Sequence, residues 1–311
     1  MNAKLKLIVS MLIFGSMGIF VRTIGLPSSI TALARGGIGV LFLFLLCVLT
    51  KTRISPKAMK QNLLLLLCSG AALGANWIFL FEAYRHTTIA VATLSYYFAP
   101  VLITAASPFV LKEKLTGGKL GCMAASVLGM ALISGVIGSG SALDGGIGVL
   151  FGLAAAASYA GFTLMNKFTK ELNALDATIA QLGIATIVLL PYTLLTQNVS
   201  GIHLQAKSVL FLVVLGVIHT GLGFWLFFAS IQQLKAQTAA MLSYIDPITA
   251  ILFAAIFLRE RMEMVQIAGA CLILGAAVLS ERFSSAFQKQ NKPCLGKQAN
   301  APKQAAASSV Q

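Results

Sequence analysis

The chain reads as an all-α integral membrane protein, ten transmembrane helices arranged as two inverted five-helix repeats. Three observations predict this. The sequence is 58% hydrophobic and 10% charged, whereas a soluble domain carries about 25% charged residues. Apolar stretches of the length that crosses a bilayer, about 20 residues, recur along the chain. The two halves also share a set of residues at a near-constant offset. With five helices in each half, the second half enters the membrane upside down relative to the first.

The stretches fall at 4–22, 30–50, 62–84, 88–111, 117–137, 145–166, 177–197, 208–231, 236–258 and 263–281. The first follows M-N-A-K-L-K and has the outline of a secretory leader. No small-x-small cleavage site precedes Arg22, however, and further spans follow, so it reads as a transmembrane helix. The fourth and ninth stretches each hold a proline near the middle, Pro100 and Pro247. The fifth closes a first repeat, residues 1–137, and the tenth closes a second, residues 138–282. Residues 283–311 are rich in Gln, Ala, Ser, Asn and Lys without an apolar period, the composition of a disordered tail. Gly70 with Gly74, Gly117 with Gly121 and Gly148 with Gly152 are spaced for close helix approach. Four of the five cysteines lie inside apolar stretches and no C-x-x-C occurs, so they read as small buried thiols.

A net charge of +14 raises the possibility of nucleic acid as a partner. The basic residues instead alternate with the apolar stretches, as cytoplasmic loops do, and no nucleic-acid partner is expected. With the N-terminus placed in the cytoplasm, 17 Lys and Arg fall on the inner side, among them Lys51, Lys57, Lys112 and Lys167. Five fall outside: Arg22, Arg85, Lys207, Arg259 and Arg261. A multi-pass protein of the cell membrane with both termini cytoplasmic follows. Its expected partners are a small-molecule substrate and the lipid bilayer; oligomeric state stays open, and a monomer is compatible with everything above.

The repeat is explicit. Trp77 matches Trp225, and Leu94-Ser95-Tyr96 matches Leu242-Ser243-Tyr244. Pro100 then matches Pro247, and Lys112-Glu113-Lys114 matches Arg259-Glu260-Arg261. Each proline removes an intrahelical hydrogen bond and frees the carbonyl four residues back, here Tyr96 and Ser243. Matching breaks at matching depth in two halves point to a transport site. Asp246 sits at the second break, and a carboxylate at that depth is costly unless it is paired, protonated or facing water.

On these residues the chain resembles the drug/metabolite transporter superfamily, specifically its ten-helix EamA-type members. The resemblance rests on F-G-S-M-G-I-F-V-R at Phe14–Arg22, L-A-R at Leu33–Arg35 and D-G-G-I-G-V-L-F-G from Asp144. The E-containing turns that close the fourth and ninth helices add to it. It covers residues 5–281, and Phe14 departs from it where a tryptophan is frequent. It implies a secondary transporter, often an exporter of amino acids or related metabolites, with a central cavity between the halves.

Candidate residues follow from depth and chemistry. Asp246 reads as a proton or substrate-cation site, or as a carboxyl neutralised in helix packing. His219, at similar depth in the eighth helix, reads as a proton-exchange partner that could bond Asp246, or as a histidine satisfied by a nearby carbonyl. Arg35 reads as a fork for a substrate carboxylate, or as a side chain that snorkels to the surface. Trp77, Tyr96, Tyr97, Tyr159, Trp225 and Tyr244 could line a cavity or act as packing anchors. Asn76 is a further polar candidate. Glu113 reads as a loop ion pair or a helix cap.

No Walker motif, H-E-x-x-H or G-x-S-x-G occurs, and His86, His203 and His219 are not clustered. Neither a cofactor nor a metal is therefore expected, and a carrier is favoured over an intramembrane enzyme or an open pore. Within the carrier reading, a nucleotide-sugar or sugar-phosphate exchanger is the rival. It should have several basic groups within its spans, where this chain has Arg35.

Overall fold

The computed structural model describes residues 2–52, 54–87, 89–133, 146–197, 205–257 and 264–290. Among the described residues the regular structure is helical and no strand forms. In chain order the α-helices are α1 (Ala3–Ile24), α2 (Ser28–Leu49), α3 (Pro56–Gln61), α4 (Leu63–His86), α5 (Ile89–Tyr96), α6 (Ala99–Leu111) and α7 (Gly117–Ile133). They continue as α8 (Gly146–Met165), α9 (Ala174–Thr196), α10 (Ala206–Val214), α11 (Gly223–Ile231), α12 (Ala236–Ser243), α13 (Ile245–Phe257) and α14 (Met264–Gln290).

Among the described residues, seven helical segments are long and apolar enough to cross a membrane: 3–21, 28–49, 63–86, 91–111, 146–168, 174–196 and 206–231. Gly117–Leu132 and Ile267–Ser280 are shorter apolar helices. The exterior is apolar: Phe109 is 88% exposed and Leu195 86%. Such a surface suits hydrocarbon rather than water. The expected ninth helix is two short pieces, α12 and α13, meeting at Tyr244. The last helix runs past the expected start of the tail, to Gln290. The boundary expected at 137/138, the turn with Glu260 and residues 291–311 lie outside the described residues.

The expected breaks form, though gently. α5 ends at Tyr96, and α6 restarts at Ala99 with Pro100 in its first turn, where a missing N–H costs little. Tyr244 keeps near-helical angles, φ −68° and ψ −8°, so α12 and α13 are a tightened joint rather than an unwound segment. A third irregularity was not legible in advance. Leu215–Leu222 forms a π-helical stretch between α10 and α11. At Gly216 in this stretch an added Cβ would stand 2.4 Å from Ile38 Cβ, so the wide turn wraps closely on α2.

Packing is helix on helix. α4 lies against α8 and α9, α1 against α11 and α13, and α7 against α14. Gly70 and Gly74 press on Ile184 and Val188 of α9, and Gly148 and Gly152 on Thr87 and Ser95, as their spacing predicted. Gly117 and Gly121 face open space; on α7 the close approaches fall to Gly118, against Phe283, and Gly129, against Ile273. The reason is register, since only one face of α7 meets α14.

At the end of the bundle where the chain begins, two charged side chains hold the turn from α11 to α12. Lys167 Nζ donates to the carbonyls of Ile231 and Leu234, closing the C-terminus of α11. Glu113 accepts from the amides of Ala236 at 2.7 Å and Gln237 at 3.2 Å, capping the N-terminus of α12. Behind them Lys119 Nζ donates to Gln237 Oε1 at 2.6 Å, and Gln237 Nε2 donates to Ser107 Oγ at 2.8 Å. Ile103, Ala160, Leu164, Ala236 and Ala240 pack as one apolar cluster at this level. Glu113→Ala is expected to cost about 1–2 kcal/mol as a lost cap and to lower the melting temperature in detergent. Glu113→Gln, which keeps an acceptor oxygen, should lower it less.

Candidate functional site

A cavity of about 590 Å³ opens between α1, α2, α4, the α5–α6 joint, α8, α11 and the α12–α13 joint. Its α1 and α4 lining, from Met11 to Ile19 and from Leu73 to Tyr84, comes from the middle and second half of each helix. Arg35 and Ile89 enter from the first halves of α2 and α5. These helices alternate in direction, so the cavity lies toward the end of the bundle opposite the Glu113–Lys167 turn.

One pole is cationic. Arg35 is buried, 9% exposed, which removes the snorkelling alternative. Its guanidinium stands over the Trp77 ring, 4.9 Å from the centroid, and Nη1 is 3.3 Å from Met17 Sδ. A thioether is a weak acceptor and an indole face attracts cations without neutralising them. Among the described residues Arg35 meets no carboxylate. The planar fork therefore keeps donors for an anion, and a carboxylate fits it bidentately.

The other pole is a carboxyl group. Asp246 lines the cavity, and its Oδ2 accepts a hydrogen bond of 3.2 Å from the Tyr97 hydroxyl, across from one broken helix to the other. Ser243, Asp246 and Ala250 share this wall because they recur at helical spacing. The expected hydrogen bond between Asp246 and His219 is replaced by others. His219 sits in the π-helical stretch and bonds Ser16 Oγ through Nε2 at 2.9 Å, with Nδ1 3.5 Å from the Val214 carbonyl. The Phe20 ring packs edge-on at 4.9 Å. His219 thus ties α1 to the π-helical stretch, and it is not in the cavity wall.

Aromatic rings make up much of the remaining wall. Tyr96 stacks at an angle on Tyr97, 5.4 Å between centroids, and meets Tyr159 edge-on at 5.9 Å. Trp77 meets Phe224 edge-on at 6.2 Å, and Phe14 lies 5.0 Å from the same ring. Asn76 is buried beside Trp77, with Nδ2 donating to the Ala155 carbonyl at 2.8 Å, so its amide fastens α4 to α8 while it borders the cavity.

Of the residues singled out in the sequence, Arg35, Asn76, Trp77, Tyr96, Tyr97, Tyr159, Asp246 and Pro100 line the cavity. Trp225, Tyr244, His219 and Pro247 do not. Trp225 follows Phe224 and is turned about 100° from it, onto the core behind the wall. Tyr244 is rotated likewise from Ser243; it is 1% exposed and packs with Cys122 and Ile273 between α7 and α14. Sequence reading passed over Met17, Gly18, Tyr84 and Phe227. Tyr84 was findable, since Trp77, Phe81 and Tyr84 recur on one helical face. Met17 was not, because nothing local pairs a thioether with an arginine on the next helix. The Tyr244 hydroxyl finds no hydrogen-bond partner among the described residues. Tyr244→Phe should therefore be neutral or raise stability by about 1 kcal/mol, read as an unchanged or higher melting temperature.

The EamA-like transporter family model matches residues 2–135 and 146–281. The chain is 31% identical over 280 residues to "Uncharacterized transporter YxxF" of Bacillus subtilis (strain 168), covering 90% of this chain and 89% of that one. It is 26% identical over 277 residues to an "Uncharacterized transporter" of Archaeoglobus fulgidus, covering 89% and 95%. A solved crystal structure superposes with a TM-score of 0.79 at 17% identity, over 91% of this chain and 98% of its own, which is a likeness of fold.

Proposed function

The chain belongs to the EamA-like transporter family, and from that premise we propose that this multi-pass membrane transporter is a secondary carrier, an exporter of amino acids or similar dipolar metabolites. The single observation behind this reading is that Arg35 and Asp246 border one cavity and neither is neutralised by an opposite charge among the described residues. A substrate with a carboxylate and an ammonium group fits two such poles, with the aromatic rings taking its apolar part. Arg35 supplies bidentate hydrogen bonds. Asp246 either meets the ammonium directly or carries the exchanged proton, with Tyr97 fixing its orientation.

The membrane arrangement belongs to the same proposal: ten spans in two inverted five-helix repeats, in the cell membrane, both termini cytoplasmic. The two matched stretches of the family model support the repeat, as do the broken helices α5–α6 and α12–α13 at repeat-related positions. The distribution of Lys and Arg supports the orientation. The cavity is then open toward the outside, and alternating access requires the Glu113–Lys167 turn to yield at the other end. A sugar-phosphate exchanger is less well supported, because among the described residues Arg35 is the one cation lining the cavity and a phosphate calls for more.

Reconstitution into liposomes tests the reading. Saturable counterflow of radiolabelled amino acids is expected, faster with a pH gradient than without. Arg35→Met should raise the KM for carboxylate substrates about 10-fold or more, the worth of a hydrogen bond to a charged group. Asp246→Asn should retain counterflow and lose its dependence on the pH gradient; a gradient response that survives this change sinks the coupling role. Single-channel current in place of saturable counterflow would overturn the carrier reading.

A further inference from the structure

α1 contributes two glycines to the cavity wall, Gly15 and Gly18, one turn apart. They stand there for different reasons. A Cβ added at Gly15 would lie 2.6 Å from Thr249 Cβ and 2.7 Å from the Asp246 carbonyl oxygen, so α13 rests on that backbone and packing demands the glycine. A Cβ added at Gly18 meets nothing within 4 Å. Gly18 is inside a helix and its φ is not positive, so no turn requires it either. Glycine within a helix is unfavourable relative to alanine, because its backbone loses more freedom on folding. Neither packing nor backbone geometry offsets that penalty at Gly18. What remains beside it is the cavity.

The place is informative. The preceding residue, Met17, has its sulfur 3.3 Å from Arg35 Nη1, so the bare backbone lies near the cationic pole. Phe14, one turn earlier on the same helix, packs on Phe224 and continues the wall. We propose that Gly18 is a specificity-determining residue: its missing side chain leaves the space beside Arg35 in which the apolar group of a carboxylate substrate is seated. Gly15 holds helices together, while Gly18 holds volume open. This rests on the reading that the cavity is where substrate binds.

The test uses the full chain in liposomes, with Gly18→Ala and Gly18→Leu beside the parent, and L-alanine and L-tryptophan as probes. Both variants should melt at or above the parent temperature in detergent. Gly18→Leu should lower tryptophan counterflow about 10-fold or more relative to alanine counterflow. An equal fall for both amino acids, or no change in either, overturns the proposal. If the parent carries neither amino acid, the substrate reading has failed, and labelling then judges Gly18 separately. A Gly18→Cys variant should react with a membrane-impermeant methanethiosulfonate above the level of the parent's own cysteines. Reaction supports an open wall at Gly18 whatever the substrate; absence of reaction overturns it.

Discussion

In hydrocarbon no water is at hand to satisfy a backbone amide or carbonyl, so every such group must find its partner within the protein. The rest of this molecule is arranged around that constraint. It makes the chain helical, and it governs where a helix is permitted to falter. The three irregular places, at Tyr97–Phe98, at Tyr244 and in the π-helical stretch 215–222, are all inside the bundle. At the first, the Tyr97 and Phe98 amides still find the carbonyls of Thr93 and Ser95, so the helix changes course without leaving its donors bare. Prolines mark two of these places because a first-turn position requires no N–H.

The joints then decide what faces the centre. A helix that restarts with a small offset presents a new face, and at α12–α13 the new face carries Asp246 while Tyr244 turns away from the cavity into the packing of α7 and α14. The same happens at α5–α6, where Tyr96 and Tyr97 both reach the cavity. The two broken helices meet through the Tyr97–Asp246 hydrogen bond. Arg35 stands apart from this pair, clasped by a sulfur and an indole. Among the described residues the guanidinium and the carboxyl each border the cavity with no opposite charge paired to them, and aromatic rings line much of the wall between.

The ends of the bundle are built differently from its middle. Near the far end Glu82 accepts from the Tyr192 hydroxyl at 2.6 Å and pairs with Arg85 at 3.0 Å, joining α4 to α9. At the end where the chain begins, Glu113 and Lys167 hold backbone groups rather than each other. Their partners are the free amides and carbonyls that every helix end leaves over, so the charges serve the helices first. These contacts all fall on one short turn between α11 and α12.

Much of this was legible in the sequence. Composition and spacing settle that the chain is helical and embedded in lipid, because a stretch of about 20 apolar residues has few other stable fates. The duplicated L-S-Y and proline located both joints, since a proline acts on its own helix. Arg35, Trp77, Tyr97 and Asp246 stood out because polar and aromatic groups at that depth are conspicuous against an aliphatic background. The tertiary structure alone decided which of them share a cavity. His219 and Asp246 have similar depth in the sequence, yet depth says nothing about direction around a helix axis. One residue's rotation, about 100°, separates a wall from a core. The same holds for Gly15 and Gly18: alike in sequence, they differ in what lies opposite, and only packing places anything there.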